Sequence, residues 1–101
     1  MSETQAGATL TVTGPMTLEE APRWREALLA AFGTGPSLSI DLAESGPWDL
    51  AGLQLLISAL ETARGSGQTV QFTRVPEVCM RVAEQAGVRI VLEPAIAGRS
   101  S

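Results

Sequence analysis

Three segments of the chain alternate polar and apolar residues, which is the pattern of a strand with one buried face and one face in water. They cover residues 9–13, 37–42 and 69–73, and a fourth, shorter strand is predicted at residues 89–92. Strands covered by helices on both faces are apolar throughout, whereas every second position here is threonine, serine, glutamine or aspartate. The alternation therefore predicts helices mainly on one face of the sheet.

Helical patterns separate the predicted strands. The first helix is expected to begin at the capping box Thr17-Leu18-Glu19-Glu20, with the threonine as N-cap, and to extend to about Phe32. Pro22 removes a helical hydrogen bond near this start, so the alternative is an irregular first turn with the regular helix beginning nearer Pro22. Helical spacing and end signals predict two further helices, over residues 50–64 and 76–87.

The order of these elements predicts an α/β fold. Strands and helices alternate along the chain, which implies crossover connections and a largely parallel or mixed sheet. We expect a small mixed sheet of about four to five strands in one domain over residues 1–101, with loose termini at 1–7 and 94–101. Gly14-Pro15 is expected to end the first strand, and residues 44–47 to form a loop.

Charge and residue usage exclude several classes of function. The formal net charge is −4, and the seven cations are all arginine and scattered, whereas binding nucleic acid requires a basic stripe. The chain contains no histidine, lysine or tyrosine, so the commonest general base, the Schiff-base amine and the phenolic acid are missing. No apolar run approaches the length of a membrane span. We expect a soluble, cytoplasmic, non-enzymatic protein without catalytic residues, metal or cofactor.

Cys79 is the single cysteine of the chain, so it cannot form an internal disulfide and the fold must stand on packing alone. Helical spacing places it on the inward side of the third predicted helix, where it is expected to be a small core residue. The other residues expected to face inward from this helix are Val78, Val82, Ala83 and Ala86.

A motif connects the second strand to the second helix. The strand ends in Asp41-Leu42, six residues follow, and Asp49-Leu50-Ala51-Gly52 opens a helix that continues Leu53-Gln54-Leu55-Leu56. This arrangement resembles the STAS domain family, whose members have Asp-Ser-Ser-Gly or Asp-Thr-Ala-Gly at that place. The family includes bacterial anti-sigma factor antagonists, sulfate-transporter tails and a lipid-transport accessory subunit. The resemblance implies a STAS-like fold and a role in signal transduction or transcription regulation through protein–protein interaction.

The resemblance also implies a working surface at this turn, and here the sequence departs from the family. In the family a hydroxyl in the turn is phosphorylated by a kinase-like partner, and the phosphate blocks docking by adding about two negative charges at the helix start. The corresponding positions are Leu50 and Ala51, which cannot accept a phosphoryl group. The nearest hydroxyls, on Ser45 and Ser58, do not align with the family acceptor and are secondary candidates for phosphorylation.

These observations predict a fixed docking surface around the turn. Leu50 is the sharpest single indication, because an apolar side chain replaces a polar one at the family's contact position. The loops after the first and third strands should flank the turn if all three leave the same edge of the sheet. The predicted partner-binding residues are Ser45, Pro47, Asp49, Leu50, Ala51, Gly52, Gln54, Pro15, Met16, Arg74 and Val75.

Structural roles compete with binding at several of these positions. The main expected role of Asp49 is to be the N-cap of the second helix, and contact with a partner is an additional expected role. Trp48 and Leu53 have the spacing of a hydrophobic staple, and Gly52 would let the helix approach the sheet closely. Leu50 itself could instead fold back against Gln54 or a loop.

Several functions stay open on the sequence alone. The partner is expected to be an anti-sigma or kinase-like protein, a sensory or chemotaxis complex, or a transporter subunit, and a homodimer is also open. One alternative is an accessory subunit of a lipid or anion transport system, although the lipid-transport subunit normally has threonine where Leu50 stands. Another is a small-ligand sensor. An enzyme would need Asp49 and Glu44 as an acid–base pair in a concave pocket.

Overall fold

The computed structural model describes residues 7–33 and 35–96 of the chain. Within them three strands alternate with helices, and a short 3-10 helix follows the last α-helix. The strands are β1 (Gly7–Met16), β2 (Ser37–Trp48) and β3 (Thr69–Thr73). The helices are α1 (Ala21–Phe32), α2 (Leu50–Ser66), α3 (Glu77–Gln85) and α4 (Arg89–Leu92), and the 3-10 helix covers Glu93–Ala95.

The sheet has the order β1-β2-β3, and both strand pairs are parallel. Along the first half of β2, buried Leu38, Ile40 and Leu42 alternate with partly exposed serine and aspartate. The buried side of the sheet joins residues of α1, α2 and α3 in one hydrophobic core. The α/β class and the packing of helices mainly on one face of the sheet are therefore confirmed.

The described residues form three parallel strands, so the sheet is the parallel form of the predicted parallel or mixed sheet and has slightly fewer strands than the expected four to five. Residues 89–92, predicted as a strand, are the helix α4. Four apolar-rich residues are too few for periodicity to separate helix from strand, and Arg89 bonds Glu93 with a 2.9 Å Nε–Oε2 distance, an i,i+4 pair that helical geometry permits. Residues 94–96 were predicted to belong to a loose terminus. Pro94 and Ala95 instead lie in the 3-10 helix, and Ile96 forms a bridge with Phe72. Residues 1–6 and 97–101 lie outside the described part.

Gly14-Pro15 does not end β1, and residues 44–47 do not form a loop. The two segments pair with each other, so that Thr13 lies opposite Glu44 and Met16 opposite Trp48. Two register shifts accommodate this, each setting three residues of β2 against two of β1. Each segment contains a Gly-Pro pair that was expected to end the strand. Pairing across the two bulges nevertheless extends β1 to Met16 and β2 to Trp48.

The start of α1 is irregular, as the alternative prediction held. Glu20 is the N-cap and no side chain caps the helix, so the predicted capping box does not form. Residues 17–20 form turns instead, with the Glu20 N–H donating to the Thr17 carbonyl at 3.0 Å. Pro22 lies among the first two helical residues, where no intrahelical N–H bond is lost.

The third predicted helix is confirmed as α3, with Pro76 as N-cap and Gly87, at φ +77°, just beyond its end. Cys79 is fully buried, as predicted. Two residues expected to face inward do not, since Val78 and Ala86 are exposed. α3 is a single nine-residue helix at the side of the core, so its buried stripe is narrower than the sequence pattern suggested.

Candidate functional site

Asp49 lies between the end of β2 and the start of α2, and both of its carboxylate oxygens accept hydrogen bonds from backbone N–H groups. Oδ1 accepts from Ala51 at 2.9 Å and from Gly52 at 3.3 Å, which caps α2 as predicted. Oδ2 accepts from Leu18, 31 residues earlier in the chain, at 3.1 Å. Asp49 therefore ties the turn after β1 to the start of α2.

Met16 strengthens the same junction through its backbone carbonyl. That carbonyl accepts a hydrogen bond from the Asp49 N–H at 3.2 Å. It also lies against Gly52, where a Cβ would stand 2.3 Å from the Met16 oxygen. The predicted close approach of helix and sheet at Gly52 is confirmed, and the Met16 side chain, offered as a binding residue, is buried in the core.

Leu50 is the first residue of α2, and 52 % of its surface is exposed. Leu50 is therefore not buried in the interior. Gln54, one turn further along α2, is exposed, and Ala51 is partly exposed. Pro15 and Pro47 are exposed on the paired ends of β1 and β2. The structure thus gathers most of the predicted docking residues at one corner of the sheet.

Ser45 has a structural role in this corner. Its hydroxyl donates to the Leu42 carbonyl at 2.7 Å and accepts from the indole N–H of Trp48 at 3.0 Å. Trp48 is buried in the core, as is Leu53. The hydroxyl is thus engaged in positioning the end of β2. Ser58, the other candidate for phosphorylation, is exposed on α2.

Arg74 and Val75 follow the end of β3, well short of the Asp49 corner. β3 ends opposite Asp41, seven residues before the end of β2. The Arg74 guanidinium bonds both carboxylate oxygens of Asp41, with a 3.2 Å Nε–Oδ1 distance. The hydrogen bonding to Arg74, together with a hydrogen bond from the Ala43 N–H, holds the pKa of Asp41 below its ordinary value, and the bonding to Asp41 raises the pKa of Arg74. The structure therefore joins Arg74 to Asp41 and not to Leu50.

A groove between α1 and α2 has a volume of about 240 Å³ and is mostly apolar. It is lined by Arg25, Leu28, Leu29, Phe32, Leu55, Ser58, Ala59 and Thr62. Neither Asp49 nor Glu44, the carboxylates considered for acid–base chemistry, lines it. Across residues 7–33 and 35–96, no three candidate ligands are grouped closely enough to bind a metal ion. In the same part of the chain, no helix has the length and apolar character to cross a bilayer.

Leu18 is the residue of this corner that sequence reasoning did not identify. It lies in the turn before α1, is 71 % exposed, and is attached to Asp49 through its N–H group. The capping-box interpretation placed it inside a helix and so drew attention away from it. Pro22 was the available signal, because a helix starting near Pro22 leaves Leu18 in a surface turn.

One protein-family model matches this chain. A family model described as "Mlab, STAS domain" matches residues 1–93 of the chain. No protein with a curated description matches it. The match to the family model covers both strands of the Asp49 corner and all of α2.

Solved structures match the fold at low sequence identity. The STAS domain of a SulP transporter from Vibrio cholerae has a TM-score of 0.67 and 17 % identity, over 94 % of this chain and 75 % of that one. A sulfate transporter family protein from Wolinella succinogenes has a TM-score of 0.73 and 16 % identity, over 89 % and 75 %. The unphosphorylated anti-sigma factor antagonist SpoIIAA has a TM-score of 0.71 and 9 % identity, over 99 % and 86 %.

Proposed function

This chain belongs to the STAS domain family, and we propose that it is a regulatory module that docks on a partner protein through residues 49–52 and the start of α2. The family is typically one of non-enzymatic interaction modules. The observation that carries the proposal is the exposed Leu50 at the first position of a helix whose start is held rigidly by Asp49. A preordered apolar side chain binds without the entropy loss of ordering a loop.

Docking at this turn is proposed to lack a phosphorylation switch. Leu50 and Ala51 carry no hydroxyl, and the nearby hydroxyl of Ser45 is bonded to Leu42 and Trp48. A phosphate on Ser45 would replace the proton that the hydroxyl donates to the Leu42 carbonyl, and would so break that hydrogen bond. The partner is therefore held or released by its own state or concentration, and not by esterification of this turn.

The kind of partner has two candidates. Likeness to SpoIIAA supports an anti-sigma or kinase-like protein. Likeness to the STAS domain of a SulP transporter and to a sulfate transporter family protein favours a transporter subunit as the second candidate. Both candidates use the same corner of this chain, so the identity of the bound protein separates them.

Site-specific photo-crosslinking in the native cell tests the docking site. A benzophenone amino acid at position 50 is expected to give one dominant protein adduct, while the same group at position 71, on the open face of the sheet, gives none. Mass spectrometry of the adduct distinguishes a soluble kinase-like protein from a transporter subunit, and also reports phosphorylation of Ser45 or Ser58.

Binding of the purified partner then provides the quantitative test. Leu50→Asp is expected to weaken binding at least about tenfold, since it places a charge in the apolar contact. Ile90→Asp is the matched control, because Ile90 is a more exposed apolar residue on the distant helix α4. A Leu50→Asp variant that melts like the wild type and binds with unchanged affinity would overturn the proposal.

A further inference from the structure

Leu18 and Leu50 are two large exposed apolar residues that are brought together at Asp49. Leu50 follows Asp49 directly, and the Leu18 N–H donates to the Asp49 Oδ2 at 3.1 Å. One exposed leucine on a protein surface is ordinary, whereas neighbouring ones indicate an interaction site. Because this hydrogen bond joins the two turns, we interpret the two exposed leucines together, as one candidate interaction site.

The backbone under these leucines is held in place on both sides. The Glu20 N–H donates to the Thr17 carbonyl at 3.0 Å, which closes the turn that carries Leu18. The Asp49 N–H donates to the Met16 carbonyl at 3.2 Å, two residues before Leu18. The two leucines are thus presented from a fixed frame, so that little backbone entropy is lost when a partner binds them.

The two segments that carry the leucines are net acidic. Residues 15–20 and 49–54 contain Glu19, Glu20 and Asp49 and no cationic side chain. Arg23 reaches Glu20, with a 2.9 Å distance between Nη1 and Oε1, and leaves Glu19 exposed beside Leu18. An acidic rim around an apolar contact selects a partner with positive charge next to its apolar slot.

We propose that Leu18 and Leu50 form a two-leucine anchor that inserts into an apolar slot of a partner protein, and that arginine or lysine side chains border this slot. The proposal rests on the proposed docking function of residues 49–52 and adds a second contact and the partner's chemistry. Asp49 acts in it as a positioning residue, because its carboxylate fixes Leu18 relative to α2. A second copy of the chain is disfavoured as the occupant, since two acidic rims would meet.

A library of random 16-residue peptides displayed on phage, selected against the purified chain, tests the proposal without knowledge of the natural partner. Selected peptides are expected to combine large apolar residues with arginine or lysine. Their affinity, measured by fluorescence anisotropy, should fall several-fold between about 50 and 500 mM salt, because screening weakens contacts between opposite charges. Selection of neutral or acidic peptides would contradict the proposed rim.

Variants then locate the contact. Leu18→Ala and Leu50→Ala are each expected to weaken the selected peptides at least about tenfold, and Glu19→Gln to reduce the salt dependence. Leu29→Ala on α1 is the control, since Leu29 is 59 % exposed and lies outside the anchor. Thermal unfolding checks that each variant is folded, and both anchor leucines are exposed enough for truncation to leave no cavity.

The outcomes separate this inference from the docking function itself. If Leu50→Ala weakens binding and Leu18→Ala does not, the two-leucine anchor is wrong while docking at residues 49–52 stands. If neither variant weakens binding, both proposals fail. If sedimentation shows that the wild-type chain forms dimers which the leucine variants abolish, the occupant is a second copy and the inferred basic partner is wrong.

Discussion

At residue 52 the Met16 carbonyl lies so close to α2 that only glycine fits without displacement of the backbone. The atom that an added Cβ would meet, at 2.3 Å, belongs to the main chain and not to a flexible side chain. That carbonyl also accepts the Asp49 N–H, so it cannot move without loss of a hydrogen bond. Gly52 thereby sets the spacing between β1 and the start of α2, on which the docking corner depends.

Gly52→Ala is expected to lower the free energy of unfolding by about 1–3 kcal/mol, because the methyl group forces a backbone shift in a close-packed junction. Gly65→Ala is the matched control in the same helix, where an added Cβ meets no atom within 4 Å. It should raise stability by about 0.5–1 kcal/mol through reduced entropy of the unfolded chain. Urea unfolding of the two variants measures both signs, and equal effects would contradict the steric argument.

The local hydrogen bonds of Asp49 could be predicted from the sequence, and its long-range one could not. The capping by Asp49 involves Ala51 and Gly52, two and three residues away, and a helix start therefore predicts it. The bond from Leu18 to the same carboxylate spans 31 residues. Only the pairing of β1 with β2 brings these positions together, and no pattern within either segment records that pairing.

Strand ends that depend on pairing with another strand were predicted less well than the segments in which polar and apolar residues alternate regularly. The central parts of the three strands and the long helix α2 follow the alternation and helical spacing read from the sequence. β1 and β2 run on past Gly14 and Gly46 because each provides pairing for the other. The ends of both strands depend on a contact between them, so the local breakers gave the wrong boundary.

The segment 89–92 was also predicted wrongly because its structure depends on contacts with the rest of the protein. As a strand, it would place Ile90 and Leu92 on one face, since side chains two apart share a side. In the helix α4 they point differently: Leu92 is 1 % exposed and Ile90 is 77 % exposed. The burial of Leu92 against the core, and the ion pair of Arg89 with Glu93, are tertiary and helical contacts that four residues of sequence do not reveal.

Alanine substitutions distinguish these two geometries in solution. Leu92→Ala is expected to lower the free energy of unfolding by about 2–4 kcal/mol, as for the loss of a buried leucine side chain. Ile90→Ala should change it by no more than about 0.5 kcal/mol, as for an exposed site. Chemical denaturation of both variants provides the measurement. Similar losses from both would indicate a shared buried face and contradict the helix.

For the whole molecule, the one-sided distribution of polar residues was the strongest information in the sequence. Threonine, serine and glutamine along one face of the strands exclude a second layer of helices there, and the core of the structure lies on the other face. Helices and sheet meet in a single cluster that includes Ile40, Leu53, Phe72 and Cys79. A single core of this kind is expected to open as one unit.

Cys79 reports on that opening, because its thiol is fully buried on α3 and burial raises its pKa to about 12. Alkylation by iodoacetamide needs an accessible thiolate, so at pH 8 the native chain should react at least about a thousandfold more slowly than the chain unfolded in guanidinium chloride. A Gln71→Cys variant carries a second thiol on the exposed sheet face and should give one fast and one slow phase. Rapid reaction of the wild-type chain would contradict the burial of Cys79.

The Gly52→Ala variant shows whether the slow reaction follows opening of the whole core or of α3 alone. Gly52 lies at the junction of β1 and α2, away from α3. If Cys79 becomes accessible only when the whole core opens, a loss of about 1–3 kcal/mol at that junction should speed alkylation about 5- to 160-fold. If α3 detaches by itself, the rate should stay unchanged although the variant is less stable. We expect the acceleration, because the core residues around Cys79 come from the sheet and from α2 as well as from α3.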